Sequence, residues 1–275
     1  MRPPRADIAA PELPPRLRWI GDGPESMAAA TAAGPVLVHF LDFAQLNSVR
    51  TLPYVQSWHE RYRDAGITVL GVQTPRLPFA ADETAVREGL ERLGVTFPVA
   101  VDAERELWLD YGCEGWPSLF LWAAGGALVW FHFGEGEYRA TEEAIQEQLR
   151  EADALRPLPP PMDPLRPTDA PGVEVIPPSP ELFPAGERAW LPETDGDGFV
   201  VEYEAGGAHA TVEGTGELGV HLDGGPPRRV GVPGTGLYPL AEHERHEAHR
   251  LEIELSPGLA LWSVSFAPGL PPTDG

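Results

Sequence analysis

Residues 155–186 read LRPLPPPMDPLRPTDAPGVEVIPPSPELFPAG, and no helix or central strand can run through them. Proline has no amide hydrogen to give to either kind of ladder, and its ring clashes with a preceding helical turn. The chain is therefore expected to fold as two bodies, over residues 10–152 and 187–269. A semi-rigid linker or strap, 153–186, joins them and is able to lie ordered along both.

Before the strap, apolar runs alternate with helical spacing. PVLVHFLDF (35–43) is β-branched and apolar throughout, which predicts a strand buried on both faces. SVRTLPYVQSWHERYRDAG (48–66) carries Leu52, Val55, Trp58 and Tyr62 at helical spacing and stops at Gly66, with Pro53 expected to kink its early turns. ITVLGVQ (67–73) and FPVAVD (97–102) predict further strands. DETAVREGLERLG (82–94) predicts an amphipathic helix whose acidic start suits the helix dipole, and AERELWLDYG (103–112) a short helix. PSLFLW (117–122) and ALVWFHF (127–133), split by AAGG, predict a hairpin, and EYRATEEAIQEQLREA (137–152) a closing helix. The order βαβαβαββα implies a mixed sheet flanked by helices.

After the strap no helix pattern recurs. Short alternating runs follow: GFVVEYE, AHATVEG, ELGVHLDGG, RRVGVPG, LYPLAE, RLEIELS and ALWSVSFA. Turn residues punctuate them closely, which predicts an all-β sandwich or jelly roll.

Charge and cysteine content narrow the chemistry. The net charge is −22, and every basic residue is arginine. Lysine Schiff-base chemistry is excluded, and a nucleic acid or an anionic membrane is not an expected partner. Cys113 is the only cysteine, so neither an internal disulfide nor a cysteine zinc cluster can form. No apolar run approaches the length of a membrane helix, and no apolar segment follows a basic start in the first thirty residues. A cytoplasmic chain is expected, or an exported one if the true start lies upstream.

The stretches APELPPRLRWI, FLDFAQLNSVRTLPYV, GVQTP, FPVAVD, YGCEGWPSLFL and GEGEY stand in an order that resembles thioredoxin-like proteins of the TlpA/DipZ type, including the thioredoxin-like part of NHL-repeat proteins. The β-rich end is similar to the carbohydrate-binding-like module of DipZ proteins. The resemblance implies a Cys-x-x-Cys turn where this chain has Gln45-Leu46-Asn47-Ser48, so that Gln45 and Ser48 stand in the cysteine positions. An amide cannot attack a disulfide, and a serine hydroxyl without a base barely can. The resemblance also implies a cis peptide bond at Trp116-Pro117, and places His39 where such enzymes often keep a buried carboxylate.

The expected function is that of a redox-inactive binding protein. It would engage an extended peptide or protein segment at a face lined by Gln45, Asn47, Ser48, Trp116 and Pro117, with the β module assisting and no cofactor. The rival is a thiol-disulfide oxidoreductase or peroxidase working through Cys113 alone. Acidic neighbours such as Asp110 and Glu114 speak against a reactive thiol there. A third reading is a glycan-binding module using Trp190, Phe199, Tyr203, Tyr238 and Trp262, rings that a sandwich more often buries.

Three further groupings have plainer readings. His39, Ser48 and Asp42 could form a hydrolase triad, but no nucleophile elbow accompanies them. His243, His246 and His249 offer metal ligands, yet AEHERHEAHR (241–250) reads more simply as a solvated inter-strand loop, and no metal is expected. Glu135 and Glu137 read as part of a turn into the last helix.

Overall fold

The structure, a computed structural model, describes residues 1–3, 7–192 and 198–273. Residues 193–197, which belong to the expected span of the β domain, lie outside the described residues. Two compact units, Met1–Leu165 and Arg166–Gly275, divide within the proline-rich stretch.

The first unit runs β1 (Arg18–Ile20), α1 (Met27–Ala33), β2 (Val36–Leu41), α2 (Leu46–Tyr62), β3 (Thr68–Gln73), α3 (Glu83–Arg92), β4 (Val99–Val101), α4 (Glu106–Asp110), β5 (Ser118–Trp122), β6 (Leu128–Phe133) and α5 (Tyr138–Ala152). Its six-stranded sheet has the order β1-β4-β3-β2-β5-β6. β2, β3 and β4 are parallel, and β5, β6 and β1 are antiparallel to their neighbours. β2 is buried at every residue, as its unbroken apolar run requires of a central strand covered on both faces. Val36, Val38 and Phe40 join one core with Leu70, Val72, Phe120 and Trp122. Leu37, Leu41 and Trp58 are also fully buried. Burying each such side chain stabilises the fold by about 1.5–3 kcal/mol.

Two elements were not expected. β1 is a three-residue edge strand, too short to show a period. α1 is MAAATAA, about two alanine-rich turns started by Ser26, whose hydroxyl accepts from the Ala29 amide. Helix α3 meets the core through Gly89, where an added Cβ would lie 2.3 Å from the Phe43 ring. Residues 155–165 run along the first unit. The Pro159 carbonyl accepts from Gln146 Nε2 at 2.9 Å, the Met162 amide donates to Glu142 at 2.8 Å, and the Leu165 amide donates to the Tyr54 hydroxyl at 2.7 Å.

The second unit is an all-β domain of five antiparallel strands: β7 (Gly198–Gly214), β8 (Gly216–Leu222), β9 (Arg228–Val232), β10 (Gly236–Leu255) and β11 (Leu259–Ala267). They lie in the order β11-β7-β10-β8-β9. All seven predicted runs are strand, but two pairs of them are fused. β7 joins GFVVEYE to AHATVEG, and β10 joins LYPLAE to RLEIELS. AEHERHEAHR, expected as a loop, is therefore the middle of β10.

The fusion works through a bulge. Ala205 pairs with Glu247 and Gly207 with Glu242, so one residue of β7 faces four of β10, 243–246. Buried positions on β7 accordingly change parity, from Val201, Tyr203 and Ala205 to Ala208, Ala210 and Val212, and both sets enter one core. Leu182 of the strap and Trp190 just beyond it bridge to Val264 and Leu261 of β11, so backbone partners meet that edge strand.

Candidate functional site

The parallel strands β2 and β3 end together, and the turn into α2 begins there. Gln45 is the N-cap of α2, its side-chain oxygen accepting from the Ser48 amide at 2.7 Å. The helix thus starts at Leu46, inside the degenerate motif. Asp42 fixes the turn from beneath: its two oxygens accept from the Ala44 and Arg76 amides at 2.8 and 2.7 Å. Gln73 at the end of β3 accepts from the Phe43 amide at 3.0 Å and donates to the Ala80 carbonyl. Burial raises the Asp42 pKa, with these amide bonds opposing the shift.

Ser48 is fully buried, and its hydroxyl oxygen accepts from the Asp42 amide at 3.2 Å. Its face is closed, unlike the half-buried Gln45 and Asn47. His39 is buried on β2 with no partner among the described residues for either ring nitrogen, and burial drives its pKa down to about 3. The Ser48–His39–Asp42 grouping therefore forms no triad. Ser48 is not hydrogen-bonded to the imidazole, and Asp42 is committed to backbone amides.

β2 pairs with β5 in the register Phe40↔Ser118, and carrying it on brings Pro117 opposite Leu41 and Trp116 opposite Asp42. The Trp116-Pro117 bond is cis. Trp116 is half-buried, its ring stacked on Trp108 at 4.1 Å and capped by the Arg105 guanidinium at 5.4 Å. Its indole N–H donates to the Thr74 carbonyl at 2.9 Å. Pro117 is buried, and its carbonyl accepts from the Gly134 amide. Neither the amide nor the carbonyl of Trp116 bonds to another described residue's backbone. The strand ends therefore present Gln45, Asn47 and an unpaired backbone edge at Trp116.

These features decide the fold of this part. The first unit is a thioredoxin-like domain. Its turn lacks Cys-x-x-Cys, since the chain has one cysteine, and dithiol chemistry has no second thiol.

The chain is similar to protein DipZ of Mycobacterium bovis, 34% identical over 179 residues, 63% of this chain and 23% of DipZ. It is also similar to NHL repeat-containing protein 2 of Gallus gallus, 24% identical over 272 residues, 90% of this chain and 36% of that protein. A likeness over that share extends into both units. The chain thus spans about a quarter to a third of the length of these relatives. Among solved structures, a thiol-disulfide isomerase from Corynebacterium glutamicum is 22% identical, covering 51% of this chain and 96% of that one at a TM-score of 0.45. No protein-family model matches the chain. No helix among the described residues is long and apolar enough to cross a membrane.

Cys113 is half-buried against the core, and its thiol is pushed up to about 12 by burial first, with the Asp102 charge adding and a Ser118 hydrogen bond opposing. The acidic influence comes from Asp102 rather than from the sequence neighbours Asp110 and Glu114. Glu135 pairs with Arg50 of α2 at 2.6 Å, while Glu137 takes the left-handed N-cap position of α5. That is the turn the sequence implied.

In the second unit, Tyr203, Tyr238 and Trp262 are buried, while Trp190 and Phe199 pack on the core. The three histidines separate. His243 and His249 stack at 4.0 Å between ring centres, whereas His246 sits on the bulge with its ring 3.9 Å from Glu204. Glu247, which the sequence reading passed over, joins the first two. Its signal was present, for 247 and 249 are two apart and share a strand face.

Proposed function

We propose that the first unit is a redox-inactive thioredoxin-like binding domain, which takes an extended peptide or protein segment along the backbone edge at Trp116. The carrying observation is that edge: an unpaired amide and carbonyl at the carboxyl end of the sheet, beside the half-buried side chains of Gln45 and Asn47. An extended segment pairing there gains main-chain hydrogen bonds, as in β-strand addition, while neighbouring side chains choose the sequence. Trp116 acts by holding the edge in place, its ring clamped by Trp108, Arg105 and the Thr74 carbonyl.

The single-thiol enzyme reading loses ground on the Cys113 environment, because catalysis needs a thiolate and burial disfavours one. For a sugar platform the second unit would need flat rings open to solvent, but Tyr203, Tyr238 and Trp262 are buried and Trp190 and Phe199 pack against its core. Its part is that of an accessory module.

Selection of random extended peptides displayed on phage against the immobilised full chain tests the proposal. Recovered peptides should lose at least about tenfold in affinity for Trp116→Ala and for Asn47→Arg, the second of which spares the Trp108 stack. Recovery of no peptide, or of peptides that bind both variants as well as the parent, would remove it.

A further inference from the structure

We infer that His243, Glu247 and His249 form a binding site for a divalent transition-metal ion of the zinc class. Each offers a ligand atom, two imidazole nitrogens and a carboxylate oxygen, and all of these atoms lie within 4.8 Å of one another. Two imidazoles and one carboxylate suit zinc, which takes three protein ligands and a solvent position with bonds of about 2 Å. Ligand atoms around such an ion stand roughly 3.3 Å apart, so the side chains close in by up to about 1.5 Å. Side-chain rotation on a strand beside a bulge covers that distance.

The surroundings of the two rings carry the inference further. Asp223 accepts from the Arg250 amide through one oxygen at 2.9 Å, and its other oxygen lies 2.7 Å from His249 Nδ1. An ionised carboxylate only accepts, so that nitrogen holds the ring proton. With the ring neutral, the lone pair of His249 Nε2 faces Glu247, 3.3 Å away. Two acceptors facing each other call for a cation or a shared proton between them. This carboxylate–imidazole–ligand line is the outer support that metal-binding histidines usually have. His243 Nε2 lies 2.8 Å from the Tyr203 hydroxyl, and where that nitrogen donates to the hydroxyl, Nδ1 is free to ligate. His249, Tyr203 and Asp223 also wall an open cavity of about 430 Å³ with Glu202, Glu204 and Ser179, a carboxylate-rich mouth that attracts cations.

The four-residue bulge explains the selection. It brings His243 onto the face that Glu247 and His249 share, and sends His246 toward Glu204. A cluster of surface histidines binding metal indiscriminately would use all three rings, so His246 is the internal control.

Calorimetric titration of the tag-free full chain with zinc chloride, after chelator treatment and desalting, decides the matter. One ion per chain is expected, with a dissociation constant of about 10 μM or tighter. His249→Ala and Glu247→Gln should each weaken binding at least about tenfold, and His246→Ala by no more than about twofold. Melting of each variant in chelator separates lost ligands from lost folding. Should a variant fail to fold, cobalt(II) added to the unmodified chain gives the answer: an intense visible spectrum of a tetrahedral site supports the inference, and a pale octahedral one overturns it. No saturable zinc binding below about 1 mM, or equal losses from His246→Ala and His249→Ala, also overturns it.

Discussion

His39 should set much of the acid sensitivity of the first unit. The imidazole is fully buried with no partner among the described residues, and burial holds its pKa near 3 against an ordinary value of 6.5. The native state therefore keeps the ring neutral while the unfolded chain takes up a proton below pH 6.5, so stability is full above that value and falls as pH drops toward 3. A gap of 6.5 − 3 = 3.5 pKa units corresponds to about 5 kcal/mol once both states are protonated, and to about 2 kcal/mol at pH 5. Other groups also titrate. Burial raises Asp42 and Asp102, which acts in the opposite sense, because their protonation favours the folded state. Both carboxyls remain in a His39→Leu variant, so the difference between the two proteins isolates the imidazole. Urea unfolding followed by tryptophan fluorescence at pH 7.5 and pH 5 should show the parent losing about 2 kcal/mol more than the variant. The variant should also gain roughly 1 kcal/mol at pH 7.5, since an apolar side chain replaces two unpartnered nitrogens. Equal losses in parent and variant would refute the reasoning, whatever their stabilities at neutral pH.

Cys113 should react with iodoacetamide at pH 8 on the order of a thousandfold more slowly than a free cysteine, since a thiol titrating near 12 exposes little thiolate; a near-normal rate would mean the thiol is not buried as described. The unmodified chain should not catalyse dithiol-driven insulin reduction, whereas the Gln45→Cys/Ser48→Cys double variant should; activity in the unmodified chain would point to Cys113, and a folded but inert double variant would count against the scaffold reading. Gly89→Ala should destabilise the first unit by about 1–3 kcal/mol, because its Cβ would meet the Phe43 ring, and a change below about 0.5 kcal/mol in chemical denaturation would show that ring free to move.

The central strands were legible because burial on both faces writes an unbroken apolar run, as in PVLVHFLDF. β1 was not, being three residues at a sheet edge, and neither was α1, whose alanines give helix propensity without a period. The degenerate turn could be placed from the sequence, but its burial could not. Only the structure shows Ser48 closed off while Gln45 and Asn47 are partly open. In the second unit the seven predicted runs are strand, but the stretch 243–249 within β10 reads as a loop, because a bulge and a loop look alike in sequence: both relax alternation and admit polar residues. His243 and His249 were therefore visible as a spacing but not as a stacked pair, and Glu247 went unnoticed among many acidic residues.

The sharing of β7 and β10 bears on how the second unit comes apart. The first half of β7, 198–205, pairs with the part of β10 that carries β8, and its second half, 207–214, pairs with β11 and with the start of β10. Neither half of the domain owns a complete set of strands, so neither can open while the other stays shut. Amide protons of Val201 and of Val212, on opposite sides of the bulge, should exchange through the same global opening, and the unit should behave as a single foldon despite its break in register.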